Sequence, residues 1–483
     1  LLLLFAVITR LVDIGFRTLL PAAGITTIRI APCLLLIAFK MPTVLAGMLF
    51  VAIATAIATK LNADNPGSLM APVVFFPGFM GTRLYVNITS VDALPSSCDE
   101  QNLTVGVPFS VMFNISLDLH ASECVLELLT QSFDSANVQF SDRSGVDVLV
   151  RNMGGFGDIS PVYWPFAHAL LNQWTTAGPS GGYPEAAGNP VYRMGVNLFG
   201  VPYDYRYMSP GALARSGLVA AVKQLVEKAY RLNNNARVVL VGHSNGGPTI
   251  YSFLAAEGVT SAWRKKHVAA FVPLSGNLLG QLNGVKPFTY NSLHSRAAQD
   301  MLCSWEGTYG STAWGGYASS GSTVSPTPVV TTFQGSASET NYTSSLEDMQ
   351  SLFGTVGQQV WGDKMAAVAD STMDRTAHPG TDVVCLYGVG VSTDYRFAFA
   401  EGINDYADPQ AVGAIPVATY ATDGDGNQDI TDNQFCLQWA EAAAEAGVGL
   451  DFDSQEFPGV HHMQMYSDGA VLARLYEVIL EYS

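Results

Sequence analysis

The residues that could carry chemistry gather around one serine. Arg237-Val238-Val239-Leu240-Val241 runs into Gly242-His243-Ser244-Asn245-Gly246-Gly247-Pro248. The Val-rich run reads as a fully buried strand, and the G-x-S-x-G spelling reads as the strained strand-to-helix turn that exposes a nucleophilic serine. Glycines two residues before and after Ser244 relieve crowding that a Cβ would cause at such a turn. Thr249 to Ala256 reads as the helix this turn requires, with Pro248 tolerated in its first turn because no intrahelical N–H is lost there.

A serine hydroxyl is a weak nucleophile. It needs a histidine within hydrogen-bond reach, itself oriented by a carboxylate, and the usual order on a strand–turn–helix scaffold is serine, acid, histidine. Downstream, Asp423-Gly424-Asp425-Gly426 is a turn whose glycines let a carboxylate project, while Asp429 and Asp432 fall in a possible next helix. His461 and His462 follow in Pro458-Gly459-Val460-His461-His462, just before an amphipathic terminal helix carrying Leu472, Leu475, Tyr476 and Ile479. His378, His294 and His267 are weaker candidates: His378 is not near a clear strand end, His294 lies before the acid, and His267 begins a strand.

Acyl transfer by a serine passes through an oxyanion, stabilised by the N–H after the nucleophile and one from an early strand-to-helix loop. The strand-like run Ala71-Pro72-Val73-Val74-Phe75-Phe76 ends in Pro77-Gly78-Phe79-Met80-Gly81, so the expected donors are Asn245 and Phe79.

The elements that must position these groups follow an α/β rhythm. Leu218, Val222, Leu225, Val226 and Ala229 have helical spacing within 211–232, and strands are expected at 267–274 and 382–387. Alternation of this kind implies a mostly parallel sheet flanked by helices. Around it, 97–150 has weak periodicity and an apolar loop (Val105, Val107, Phe109, Val111, Met112, Phe113) suited to interfacial contact or to a cap packed on itself. Asp204 and Arg206, among aromatics, read as a structural ion pair. The stretch 277–341, Gly/Ser/Thr-rich at its centre, reads as a lid followed by loop, and Ser344 with Glu347 as a capping box opening a helix through Phe353.

Composition narrows the partners. A net charge of −17 argues against nucleic acid and against electrostatic capture by anionic membranes, which leaves apolar contact for any lipid surface. Charged residues are 13% against 48% hydrophobic, which favours a compact chain. The first Met is Met41, leaving residues 1–40 open as upstream reading frame. From Met41 an uncharged apolar run to Thr59 reads as a signal peptide, with a signal anchor as the rival, so 1–59 is expected as leader and 60–483 as the enzyme domain. Asn87, Asn102, Asn114 and Asn341 stand in glycan-acceptor spellings, in agreement with a secretory, secreted or lysosomal protein. Outside the leader the cysteines are Cys98, Cys124, Cys303, Cys385 and Cys436, an odd number without zinc-like spacing. The serine chemistry itself calls for neither metal nor cofactor.

Pro72-Val73-Val74 through Gly81, Pro202-Tyr203-Asp204-Tyr205-Arg206, Gly242-His243-Ser244, Cys385-Leu386-Tyr387-Gly388-Val389-Gly390 and Asp423-Gly424-Asp425-Gly426 together resemble the lecithin:cholesterol acyltransferase family, from about Pro72 to the C-terminus. The resemblance implies an α/β-hydrolase core with an inserted cap and lid and a small disulfide-tied membrane-contact region. It implies Ser244 as nucleophile, Asp425 as acid by its spacing to Cys436, and His462 as base in a Gly-x-x-His-x-x-Met pattern. It also implies disulfides Cys98–Cys124 and Cys385–Cys436, with Cys303 free. The expected activity is cleavage of a phospholipid acyl ester at a membrane or lipoprotein-like surface, with transfer to water or a lipid alcohol. A neutral-lipid lipase or esterase is the alternative, and a non-catalytic lipid carrier the remoter one. Three places depart from the family pattern, Phe79 among them: Asn245 stands where relatives have a hydrophobic residue, and Ser275-Gly276-Asn277-Leu278-Leu279-Gly280 replaces a Gly-Ala-Pro-Trp-Gly-Gly-like turn. Phe79 stands where familiar members carry a small or acidic residue.

Overall fold

The structure, a computed structural model, describes residues 70–483 except 100, 114–121, 138, 172–191, 280–294, 313–328, 335–338, 344–345, 356–358, 372–376, 401–417, 446 and 448. The expected leader over 1–59, Asn114, His294, Ser344 and the centre of the Gly/Ser/Thr-rich stretch lie outside the described residues.

In chain order the strands begin with β1 (Val73–Phe76), β2 (Leu84–Ile88), β3 (Phe109–Val111), β4 (Gln131–Asp134), β5 (Gln139–Asp142) and β6 (Val146–Leu149). They continue with β7 (Leu198–Gly200), β8 (Val238–His243), β9 (Val268–Leu274), β10 (Val329–Gln334) and β11 (Glu339–Thr343). The last are β12 (Asp382–Val389), β13 (Thr393–Ala400), β14 (Ala418–Thr422) and β15 (Phe452–Pro458).

Six of them form the central sheet in the order β15-β12-β9-β8-β1-β7, every neighbour parallel. β8 and β9 are buried along their whole length, which is why they read as continuous apolar runs rather than alternating ones. Alternation instead divides their side chains between two cores. Val74, Phe76, Leu240, Phe271 and Val383 pack with the helices Leu218–Leu232 and Gly246–Ala255 on one face. Val73, Phe75, Val239, Val241, Val272 and Val384 pack on the other with Phe166 of helix Trp164–Leu170 and with Leu472, Leu475 and Ile479 of the terminal helix Gly469–Glu481. Each such buried Val, Leu or Phe contributes about 1.5–3 kcal/mol over leaving it exposed.

The expected apolar face Leu218, Val222, Leu225, Val226 and Ala229 is buried, but the helix expected over 211–232 is broken. Ser209 caps a short helix, Pro210–Arg215, and Gly217 at φ 79° starts the next with a backbone conformation that side-chain-bearing residues avoid.

Residues 84–149 build a cap: the antiparallel sheet β3-β2-β6, the hairpin β4-β5, and helix Glu123–Leu128 tied by the disulfide Cys98–Cys124. The apolar loop divides, with Val111 and Phe113 buried and Val105 and Val107 exposed. A second disulfide joins Cys385 of β12 to Cys436, and Cys303 is free and buried.

The stretch expected as lid and loop, 277–341, is not structureless: it contains helices Arg296–Leu302 and Glu306–Thr312 and strands β10 and β11. These two strands belong to a second sheet, β11-β10-β13-β14. Its pairing joins segments as far apart as Val329 and Thr422, so no local period announces it. Among the described residues no helix is long and apolar enough to cross a membrane.

Candidate active site

The Ser244 turn stands at the C-terminal end of β8. Ser244 has φ 53°, a conformation that costs a non-glycine residue about 1–3 kcal/mol and is held here from both sides. Its N–H bonds the Leu274 carbonyl at 3.1 Å, and its carbonyl accepts from Gly247 N–H at 2.8 Å and Asn277 N–H at 3.2 Å. Both glycines of the spelling are required by contact. A Cβ on Gly242 would lie 2.6 Å from the Gly246 carbonyl oxygen, and one on Gly246 would collide with the Phe76 carbonyl.

The loop after β1 lies against this turn. A Cβ on Gly78 would come within 3.0 Å of Ser244 Cβ, so glycine there lets this loop lie close against Ser244. Gly78 N–H is already used, donating to the Tyr163 hydroxyl at 2.8 Å. Among the described residues neither Phe79 N–H nor Asn245 N–H has a hydrogen-bond acceptor. The Phe79 ring packs edge-on to Tyr205 at 5.5 Å and Trp305 at 6.0 Å, and Trp305 is anchored by its indole N–H to the Leu129 carbonyl.

Among the candidate acids and histidines the structure brings one pair together. His462 Nδ1 lies 2.8 Å from Asp425 Oδ2, and His462 N–H donates to the Asp425 carbonyl at 2.8 Å. Both side chains are buried. Asp425 stands at a bridge to Val391, just beyond the end of β12, while His462 follows β15. Burial by itself would raise the Asp425 carboxyl, but the His462 charge, the His462 hydrogen bond and the N–H groups of Gln428 and Asn427 hold it below the ordinary carboxylate value. His243, the neighbour of Ser244, bonds the His462 carbonyl through Nε2 at 3.0 Å, with the two rings 4.8 Å apart. The loop after β1, the Ser244 turn, Asp425 and His462 thus all lie at the C-terminal edge of the central sheet, where open α/β sheets build their sites.

The other candidates are engaged elsewhere. Asp423 accepts from Gly390 and Gly424 N–H, Asp429 caps helix Ile430–Asn433, and Asp432 accepts from Leu279 N–H. His461 is exposed, His267 bonds the Trp263 carbonyl, and His378 bonds Gly380 N–H. The expected ion pair is present and larger than the sequence suggested: Arg206, fully buried, binds Asp204 and also Asp142 of the cap, each at 2.6 Å. Of the glycan-acceptor positions, Asn102 and Asn341 are exposed and Asn87 is half-buried in β2. Among the described residues no group of three His, Cys, Asp or Glu side chains converges as a metal site.

Sequence reasoning assigned Tyr163 and Trp305 no role, and it marked Asn277 as unusual without its partner Asn245. Tyr163 stands in the aromatic run Tyr163-Trp164-Pro165-Phe166, but its hydroxyl meets His243 from 80 residues away and no local pattern carries that contact.

A parallel sheet with a serine turn and a histidine–aspartate pair along its C-terminal edge defines the α/β-hydrolase class. The lecithin:cholesterol acyltransferase family model matches residues 113–297 and 339–468, and the chain belongs to that family. It is 26% identical over 433 residues to human lysosomal phospholipase A and acyltransferase, covering 86% of this chain and 92% of that one. To the rice lecithin-cholesterol acyltransferase-like 1 it is 25% identical over 432 residues, covering 87% and 89%. To the chicken phosphatidylcholine-sterol acyltransferase it is 22% identical over 417 residues, covering 83% and 88%.

Proposed function

We propose that this protein cleaves a phospholipid acyl ester through a Ser244 acyl-enzyme and passes the acyl group to water or a lipid alcohol. The observation that carries the reading is the buried 2.8 Å contact between His462 and Asp425 beside the Ser244 turn. Ser244 Oγ attacks the ester carbonyl carbon while His462 takes its proton, and the carbonyl electrons move onto oxygen between the Phe79 and Asn245 N–H groups. Collapse of that oxyanion breaks the ester C–O bond, and His462 returns the proton to the departing lysophospholipid oxygen. Water or a lipid hydroxyl then gives its proton to His462 and attacks the acyl-enzyme, and Ser244 recovers its own as the new acid or ester leaves. Asp425 keeps Nδ1 of His462 protonated, so that Nε2 is the basic nitrogen.

The names of the relatives, phospholipase and acyltransferase, support the substrate class, and the two disulfides with the lysosomal relatives support a secretory or lysosomal compartment. Exposed Val91, Val105 and Val107 on the disulfide-tied cap support contact with a lipid surface. Neutral vesicles of phospholipid or of triacylglycerol, each with and without a long-chain alcohol, test the reading. Fatty acid from phospholipid, and acyl ester when alcohol is added, is expected; turnover of triacylglycerol alone would move the protein to the lipases.

A further inference from the structure

A chain of hydrogen bonds crosses behind the nucleophile and has one possible direction. Gly78 N–H donates to the Tyr163 hydroxyl oxygen at 2.8 Å. That hydroxyl lies 2.9 Å from His243 Nδ1, and His243 Nε2 lies 3.0 Å from the His462 carbonyl. A carbonyl only accepts, so Nε2 of His243 carries the proton. In a neutral imidazole Nδ1 is then an acceptor, and the Tyr163 hydroxyl donates to it. We infer that Tyr163 and His243 are positioning residues that fix the distance between the oxyanion loop at Gly78–Phe79 and the backbone of His462, through a one-way relay with His243 locked as the neutral Nε2–H tautomer.

The surroundings enforce that state. Tyr163 and His243 are almost wholly buried. The groups facing the His243 ring are Tyr163 at 5.5 Å, Tyr466 edge-on at 5.1 Å and His462 at 4.8 Å between centroids, with Asp425 the charged group beyond His462. Burial first, then the His462 charge, push His243 down to about 3, while its bond to the His462 carbonyl and the Asp425 charge only partly offset them. Burial also keeps the Tyr163 hydroxyl protonated. If His243 gained a second proton, Nδ1 would turn a donor toward Tyr163, and the hydroxyl hydrogen would lose its acceptor. The relay therefore keeps its polarity as pH falls, until it nears about 3. Gly78 completes the fit, because a Cβ there would stand 2.8 Å from the Tyr163 hydroxyl oxygen.

The inference rests on the proposed roles of Phe79, Ser244 and His462, and its test separates the two. With histidines ¹⁵N-labelled, long-range proton–nitrogen correlations from about pH 4 to about pH 8 should show His243 as a non-titrating Nε2–H tautomer, whereas an ordinary histidine would titrate in that range. An Nδ1–H tautomer, or titration near the ordinary histidine value, overturns the inference without any variant having to fold. Tyr163→Phe should lower kcat about tenfold or more with KM within about twofold, as expected of lost alignment. His243→Gln keeps a donor and an acceptor and should retain about tenfold more kcat than His243→Phe. A Tyr163→Phe enzyme with wild-type kcat and normal fluorophosphonate labelling of Ser244 overturns the inference alone. Failure of the wild-type protein to be labelled overturns the Ser244 reading and the inference with it.

Discussion

Asn277 Nδ2 donates to Asn245 Oδ1 at 2.6 Å, and both side chains are buried. Two of the three places where the sequence reading set the chain apart from the family's pattern, Asn245 and the turn at Asn277, are therefore one another's partners. Asn245 Oδ1 is tied to the loop after β9, whose backbone also bonds the Ser244 carbonyl. Replacing one member strands the other without a partner in the interior, which costs about 1–3 kcal/mol, whereas replacing both by apolar groups is nearly neutral. Urea unfolding of Asn245→Leu, Asn277→Leu and the double variant should give a coupling energy of about 1–2 kcal/mol, with the double variant more stable than the single-site sum. Additive effects would mean the pair is incidental.

Asp425→Asn should leave the fold intact by circular dichroism and lower turnover about 10³–10⁴-fold, because an amide no longer selects the His462 tautomer. Asp423→Asn should cost less than about tenfold, since Asp423 holds Gly390 and Gly424 rather than the histidine. Near-normal turnover in the Asp425 variant would move the acid elsewhere.

His243 makes a signed contribution to stability. Its pKa falls from 6.5 to about 3 on folding, so the native state binds fewer protons than the unfolded one between those values. Its share of stability is complete above 6.5 and is lost as pH falls toward about 3. At about pH 4.5 the loss is roughly 2–3 kcal/mol. Unfolding free energies of wild type and His243→Gln, each at about pH 7.5 and about pH 4.5, should show a shallower acid loss in the variant by about that amount. Equal slopes would contradict a buried neutral histidine.

Arg206 is fully buried between Asp204 and Asp142. Arg206→Ala leaves two partly buried carboxylates facing one another and should destabilise by about 3–5 kcal/mol in urea unfolding. Hydrogen exchange in β5, which carries Asp142, should accelerate most, since the guanidinium ties the cap to the core. A loss below about 1 kcal/mol would rank the cluster with surface pairs.

Much of this was legible before any coordinates. β8 and β9 are buried on both faces, so their sequences are apolar without alternation, and the Leu218–Leu232 face repeats at helical spacing. The G-x-S-x-G spelling was legible because local sterics at Gly242 and Gly246 dictate it. What remained hidden depends on partners remote in the chain. β14, with no fully buried residue, offers no apolar run, and it pairs with β13 across a long gap. The Asp142–Arg206 bond spans 64 residues, and the Asn277–Asn245 bond spans 32. In each case the residue types showed a polar group needing a partner, and only the fold says which.

The central claim is that Ser244 carries the acyl group, and it is tested most directly by trapping that intermediate. Enzyme mixed with phospholipid bearing an isotopically labelled acyl chain is quenched in acid within the first turnover, digested and analysed by mass spectrometry. The account expects the labelled acyl mass on the peptide containing Ser244, chased off by water or by a lipid alcohol, and absent in Ser244→Ala. Product release with no acyl group on that peptide, or undiminished turnover by Ser244→Ala, would contradict it.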